Sequence, residues 1–137
     1  MLFLTSFRRG LPLLLSAAAL AAPFAAPAQP AVDAADFPAA AVRFLDAEMP
    51  AMDAAVAARD RSFFEGAMAR AVEFADAWGF KSGANPALAR FQPCVGAVSD
   101  HLVVGLCRLT PGSDECTPHL ASGFAQNLQA CRALAGR

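Results

Sequence analysis

Four cysteines constrain the fold of this chain more than any other feature, because their spacing limits how the C-terminal half can be arranged. They lie on either side of the turn-forming pair Pro111-Gly112, and their number is even. An even set of cysteines favours disulfides if the protein is exported. The four are Cys94, Cys107, Cys116 and Cys131.

Helix geometry excludes one of the three possible pairings of these cysteines, and an antiparallel arrangement of the two helices favours the nested pairing. Within one helix, Cys94 and Cys107 would lie about 20 Å apart, whereas a disulfide requires Cα atoms within about 7 Å. The same argument excludes a bond between Cys116 and Cys131. An antiparallel helix pair that turns at Pro111-Gly112 brings Cys107 beside Cys116 and Cys94 beside Cys131. The sequence therefore predicts these two disulfides.

One angular mismatch accompanies this prediction. On a straight helix, Cys94 and Cys107 point about 140° apart, so both cannot face the same partner helix. We therefore expect one of two irregularities. Either Cys94 lies at an irregular helix start after Pro93, or the helix ends near Gly105 so that Cys107 lies beyond it.

The N-terminal segment has the pattern of a cleaved signal peptide over residues 1–28. Arg8 and Arg9 precede a short apolar run, and Ala26-Pro27-Ala28 fits a cleavage site, with Ala19-Leu20-Ala21 as an alternative. The apolar run has about 10–12 residues, whereas a membrane-spanning helix needs about 20. We therefore expect a periplasmic or secreted protein without a stable transmembrane segment after cleavage. The export route, Sec or twin-arginine, stays open.

The mature chain is predicted to be an all-α domain over residues 36–137, preceded by a flexible tail over 29–35. It is expected to be a small bundle of four or five helices whose last two form a disulfide-braced antiparallel hairpin. The predicted helices begin at Asp36, at the capping-box pattern Ser62 to Glu65, at Asn85-Pro86 and at Thr117-Pro118.

Pro50 is expected to end or kink the first helix at about Glu48. Residues 50–78 form either one helix or two. An apolar stripe predicts the buried face of the helix that ends near Gly79. The stripe consists of Phe64, Met68, Ala71, Ala75 and Trp78.

Composition and motifs exclude several function classes. Without Arg8 and Arg9, nine basic residues stand against twelve acids, which argues against nucleic-acid binding. The chain has no C-x-x-C and no G-x-S-x-G motif, so it is not expected to be an enzyme and no cofactor is predicted.

Ser99, Asp100 and His101 are the residue types of a catalytic triad. Because they are consecutive, they point in different directions on a helix and cannot pass a proton among themselves. His101 is expected to be partly buried or interfacial.

Three functional hypotheses remain. The favoured one is a non-catalytic exported protein that acts as an interaction or accessory factor for an unidentified periplasmic or envelope protein, with Phe63, Trp78 and Phe80 as a possible binding surface. The alternative is a binding protein for a small apolar ligand or cofactor. The third is a metal or redox site around Cys107, Cys116 and His119, where Cys116 and His119 have C-x-x-H spacing. The favoured hypothesis involves no metal.

Overall fold

Four α-helices and two short 3-10 helices form the described part of the protein in the computed structural model, which covers residues 33–81, 83–112 and 116–136. These ranges contain no strand, so the prediction of an all-α bundle is confirmed. The 3-10 helices span Ala34–Asp36 and Pro86–Phe91. The α-helices are α1 (Phe37–Ala58), α2 (Phe63–Trp78), α3 (Gln92–Leu109) and α4 (Leu120–Ala135).

Helix α1 continues through Pro50, so of the two expected effects of this proline, the end of the helix near Glu48 is wrong. Proline removes one backbone hydrogen bond. However, Leu45 before it and Met52 after it are both buried against other helices, while Pro50 itself is exposed. Tertiary packing on both sides of the proline thus keeps the segment helical to Ala58.

The chain from Pro50 to Trp78 forms two helices, separated by a break at Arg59. Arg59 adopts the left-handed conformation with φ 55°. The predicted capping box at Ser62 is wrong: Ser62 has helical backbone angles, and its hydroxyl donates to Asp60 Oδ1 at 2.6 Å. The Ser62 hydroxyl therefore binds the Asp60 carboxylate and makes no capping hydrogen bond to the α2 backbone. Gly79, with φ 68°, ends α2 as predicted.

Helices α3 and α4 pack together most extensively and form the predicted antiparallel hairpin. A Cβ atom on Gly96 would lie only 2.6 Å from Asn127 Nδ2, so glycine allows α4 to approach closely. The disulfide between Cys94 and Cys131 joins the start of α3 to the end of α4, at the end of the hairpin opposite the turn, with Cα atoms 4.7 Å apart.

The second disulfide joins Cys107 to Cys116, with a Cα separation of 5.4 Å, so the pairing is nested as predicted. Neither expected irregularity is present, because α3 is helical through both Cys94 and Cys107. The angular mismatch is instead accommodated by Cys116. This residue precedes the start of α4 at Leu120 and does not occupy a helix face.

The core consists of two apolar clusters. The larger cluster joins α1, α3 and α4, and aromatic rings surround its fully buried Phe37 at centroid distances of 5.2–6.4 Å. These rings are Phe74, Trp78, Phe80 and Phe91. The smaller cluster joins α1, α2 and α3. Its buried members are Met52, Ala55, Phe64, Ala67 and Leu102.

The predicted signal peptide, residues 1–28, lies outside the described residues, as does most of the predicted tail at 29–35. The end of that tail is ordered as a 3-10 turn over Ala34–Asp36, where the Asp33 side chain accepts a hydrogen bond from the Ala35 amide at 2.9 Å. Among the helices of the described ranges, none combines the length and apolar character needed to cross a bilayer.

Candidate functional site

Helix α1 forms an ion pair with each of the other three α-helices: α1 supplies the carboxylate and the other helix supplies an arginine. Arg70 of α2 binds Glu48, Arg108 of α3 binds Asp53, and Arg132 of α4 binds Asp46. The last two pairs are about half exposed at both partners, so they contribute little to stability.

The pair between Glu48 and Arg70 differs from the other two in burial and geometry. Arg70 donates from Nε to Glu48 Oε1 at 2.6 Å and from Nη2 to Oε2 at 2.8 Å. The Glu48 side chain is only 10% exposed, while that of Arg70 is 46% exposed. The hydrogen bonds to Glu48 raise the pKa of the Arg70 guanidinium above its usual value. Arg70 therefore neutralises a carboxylate that the fold has largely removed from water.

His101 on α3 is the second buried polar group, and it is fully buried. Its Nδ1 lies 2.6 Å from the Val98 carbonyl oxygen, which can only accept, so Nδ1 carries the proton. Nε2 has no hydrogen-bond partner among the described residues. Burial lowers the pKa of His101, while the Val98 hydrogen bond and the Glu48 charge act in the opposite direction. Neutral His101 thus presents a bare Nε2 lone pair to the interior.

Glu48, Arg70 and His101 together form a polar layer between the two apolar clusters. On α1, Glu48 lies between Leu45 of the larger cluster and Met52 of the smaller. On α3, His101 lies between Val98 and Leu102, which belong to the larger and smaller cluster respectively. The three side chains come from three different helices, and Arg70 reaches the buried Glu48 from the exposed side of the bundle.

The structure separates the three residues predicted as a possible binding surface. Trp78 and Phe80 are half-buried and belong to the aromatic group around Phe37. Phe63 is half-buried at the smaller cluster, where its ring packs on Phe64 at 5.4 Å and lies beneath the Arg70 guanidinium at 5.7 Å. Phe63 therefore lies in a different part of the bundle from Trp78 and Phe80.

A surface cleft of about 170 Å³ lies beside Phe80. The turn after α2, the 3-10 helix before α3 and the start of α3 form it, and its lining includes Phe80, Pro86, Leu88 and Val95. This Phe80 cleft is smaller than the roughly 300–1,000 Å³ of pockets that take drug-sized ligands.

Helix α2 presents an exposed apolar pair, of which the sequence pattern places only Met68 in the core. Met68 is 45% exposed and Val72 is 37% exposed. The helix instead buries Phe64, Ala67 and Ala75. Met68 and Val72 are four positions apart and adjacent on the surface, with exposed Glu65 and Asp76 on the same side. We call these four residues the α2 outer face.

The hypothesis of a metal site around Cys107, Cys116 and His119 is wrong for the disulfide-bonded protein. Cysteine binds a metal ion as a thiolate, and the Cys107 and Cys116 sulfur atoms are bonded to each other. His119 is exposed, and within the described ranges no three histidine, cysteine, aspartate or glutamate side chains form a cluster suited to a metal ion. The redox form of the hypothesis stays open.

Ser99, Asp100 and His101 do not form a shared site. His101 points into the core, Asp100 is half-buried and Ser99 is exposed, as expected for consecutive helical residues.

Comparisons of the chain with protein-family models, curated proteins and solved structures found no match. Functional inference therefore depends on the chain's own surface and interior.

Proposed function

We propose that this chain is an exported, non-catalytic helical protein that acts as an interaction or accessory factor in the periplasm or envelope, and that the α2 outer face contacts its partner. The supporting observation is the exposed apolar pair of Met68 and Val72. These two are the large hydrophobic residues that the described part of the chain leaves exposed.

The arrangement of this pair fits a contact surface better than accidental exposure. Single exposed apolar residues are common on protein surfaces, but adjacent ones form a continuous patch. Glu65 and Asp76 lie on either side of the pair along the helix, which resembles the polar rim around an apolar interface centre. A partner that covers Met68 and Val72 would remove both from water.

Site-specific photo-crosslinking in cells tests this contact. A photoreactive residue at position 68 should give a defined crosslinked species, and Val72→Lys should abolish it by placing a charge in the interface. A photoreactive residue at Ala130, an exposed position on α4, is the matched control. Circular dichroism verifies that Val72→Lys retains the helical fold. Identical species from both positions, or a species insensitive to Val72→Lys in a folded protein, would contradict the proposal.

Export is the second element of the proposal. The two disulfides are consistent with an oxidising compartment, because thiols are kept reduced in the cytosol. Fractionation of cells that express the full chain, followed by N-terminal sequencing, tests it. The expected mature protein begins at Gln29 in the periplasmic or secreted fraction. A protein that keeps its original N-terminus in the cytoplasm would contradict export.

The Phe80 cleft supports a second candidate function, the binding of a small apolar ligand. Its volume of about 170 Å³ is comparable to that of an engineered cavity of about 150 Å³ that binds benzene. Trp78 is the chain's single tryptophan and shares the Phe37 aromatic group with Phe80, so its fluorescence reports on this region.

Titration with benzene-sized ligands should change Trp78 emission with saturation. Filling the cleft by Ala89→Phe should abolish the response, because Ala89 lines it. Ala130→Phe on α4 is the control and should retain the response. A linear, unsaturable change, or equal responses in the two variants, would exclude binding at this cleft.

A further inference from the structure

The two disulfides of the hairpin differ in their access to solvent. Cys94 and Cys131 are both fully buried in the larger cluster. Cys107 and Cys116 are only half-buried. A thiolate must reach a sulfur atom to attack it, so access strongly affects which disulfide reacts. Cys107–Cys116 is the accessible bond of the pair.

A second surface cleft lies beside this accessible disulfide. It has a volume of about 160 Å³, and Cys107 forms part of its wall. Val104, Leu120 and Ala121 make most of the remaining wall apolar, while Arg108 and Thr117 supply polar groups. We call it the Cys107 cleft. Its size suits a molecule of a few heavy atoms, because a cavity of about 150 Å³ holds benzene.

The charge of the Cys107 cleft comes from Arg108. Its side chain is 46% exposed, and one nitrogen, Nη1, donates to Asp53 Oδ1 at 2.5 Å. A guanidinium has five N–H donors, so it retains donors for a second anion. The cleft therefore combines one cysteine of the disulfide, a small apolar wall and a cation.

We propose that Cys107–Cys116 is a thiol–disulfide exchange site for small anionic thiols, which enter the Cys107 cleft and attack Cys107. The thiolate of the small molecule forms a bond to Cys107 Sγ while the Cys107–Cys116 bond breaks. The electron pair of that bond leaves on Cys116 Sγ, which takes a proton from water. The product is a mixed disulfide at Cys107 and a free thiol at Cys116.

A second molecule of the same thiol completes the reduction. It attacks the sulfur of the first small molecule, and Cys107 leaves as a thiolate. The two small thiols end as their disulfide, while Cys107 and Cys116 end reduced. Because Cys94–Cys131 remains intact, α3 and α4 stay joined, and only the connection between Cys107 and the segment before α4 is released. This inference does not depend on the α2 outer face.

The test uses the purified disulfide-bonded protein at low ionic strength with two small thiols, anionic mercaptoacetate and cationic cysteamine. Acid quenching, alkylation and peptide mass spectrometry identify the modified cysteine. The expected adduct is mercaptoacetate on Cys107, with Cys94–Cys131 unreacted. Each variant is compared with the unaltered protein for the same thiol, so differences in thiol basicity cancel.

Arg108→Gln should slow the mercaptoacetate reaction about two- to fivefold, which is the range for one charge acting over several ångströms near water. It should not slow the cysteamine reaction, and added salt should reduce the difference. Arg132→Gln is the matched control, because Arg132 also pairs with an α1 aspartate and is about equally exposed. This variant should leave both rates unchanged.

Asp53→Asn provides an independent variant if Arg108→Gln fails to fold. Removing the competing carboxylate should accelerate the mercaptoacetate reaction, because it frees the Arg108 charge. The proposal is overturned by an adduct mainly on Cys116, by opening of Cys94–Cys131 at a comparable rate, by equal effects of Arg108→Gln and Arg132→Gln, or by slower exchange in Asp53→Asn.

Discussion

The Arg70 guanidinium on α2 holds both carboxylate oxygens of Glu48 on α1, at 2.6 and 2.8 Å, although Glu48 is nearly buried and Arg70 is about half exposed. In such a pair, the loss of the cation leaves an uncompensated carboxylate inside the protein. A fully buried pair would lose about 3–5 kcal/mol when broken, and the exposure of Arg70 reduces this cost because water can reach the site.

Arg70→Met should therefore lower the free energy of unfolding by about 2 kcal/mol, measured by urea denaturation. Arg132→Met, which breaks the exposed pair with Asp46, should cost less than about 0.5 kcal/mol. The double variant Glu48→Met with Arg70→Met should recover much of the loss, since neither charge then remains. Equal costs for the two single arginine variants would show that Glu48 is not buried as described.

His101 should make stability depend on pH in the acidic range. Burial lowers the pKa of His101 in the folded state below the usual value near 6.5, whereas in the unfolded chain His101 has the usual pKa. The unfolded state therefore holds more protons below about pH 6.5, and the free energy of unfolding falls as pH decreases from there toward the folded pKa. The slope contributed by one proton is at most about 1.4 kcal/mol per pH unit.

The measurement is urea denaturation between pH 7 and 5 for the unaltered protein and for His101→Met. Methionine has a similar volume and does not titrate, so the variant should lose this part of the slope. His119→Met, at an exposed imidazole before α4, is the control and should retain it. A slope that survives His101→Met unchanged would assign the pH dependence to other groups.

The two disulfides should contribute unequally to stability. Cys94–Cys131 closes a separation of 37 residues and Cys107–Cys116 one of 9. In the chain-entropy model these loops correspond to about 4 and about 2.7 kcal/mol, respectively. Replacing buried Cys94 and Cys131 by alanine also removes core volume, which adds to the difference.

Thermal or urea unfolding of the two double-alanine variants provides the comparison. The Cys94→Ala, Cys131→Ala protein should be the less stable, by at least about 1 kcal/mol. The alternative order would mean that the α3–α4 interface holds the hairpin together without its core disulfide.

The sequence predicts the secondary structure and the disulfide pairing well because both depend on local spacing. Periodic apolar residues identify the helices of the C-terminal half. Rise per residue excludes a disulfide within either helix, and an antiparallel turn then selects Cys94–Cys131 with Cys107–Cys116. The continuation of α1 past Pro50 has no such local signal. It depends on the burial of Leu45 and Met52 against helices that come later in the chain.

The candidate site is harder to predict for the same reason. Glu48 and Arg70 are 22 residues apart, and their contact follows from the relative position of α1 and α2. The exposure of Met68 depends on which neighbours α2 packs against, and its many alanines leave that face undetermined by hydropathy. The one local signal was His101, a polar residue beside the apolar Val98–Leu102 stripe.

Two glycines in different helices should respond to the same substitution with opposite signs. A Cβ on Gly105 would lie 2.9 Å from both Met52 Cγ and Phe64 Cε1, at the point where α1 and α2 pack on α3. Gly105→Ala should therefore lower the free energy of unfolding by about 1–3 kcal/mol through overpacking. Gly123, inside α4, has no neighbour within 4 Å of such a Cβ, so Gly123→Ala should raise it by about 0.5–1 kcal/mol through helix propensity. Urea denaturation of both variants measures the difference, and a stabilising Gly105→Ala would contradict the close approach of Met52 and Phe64.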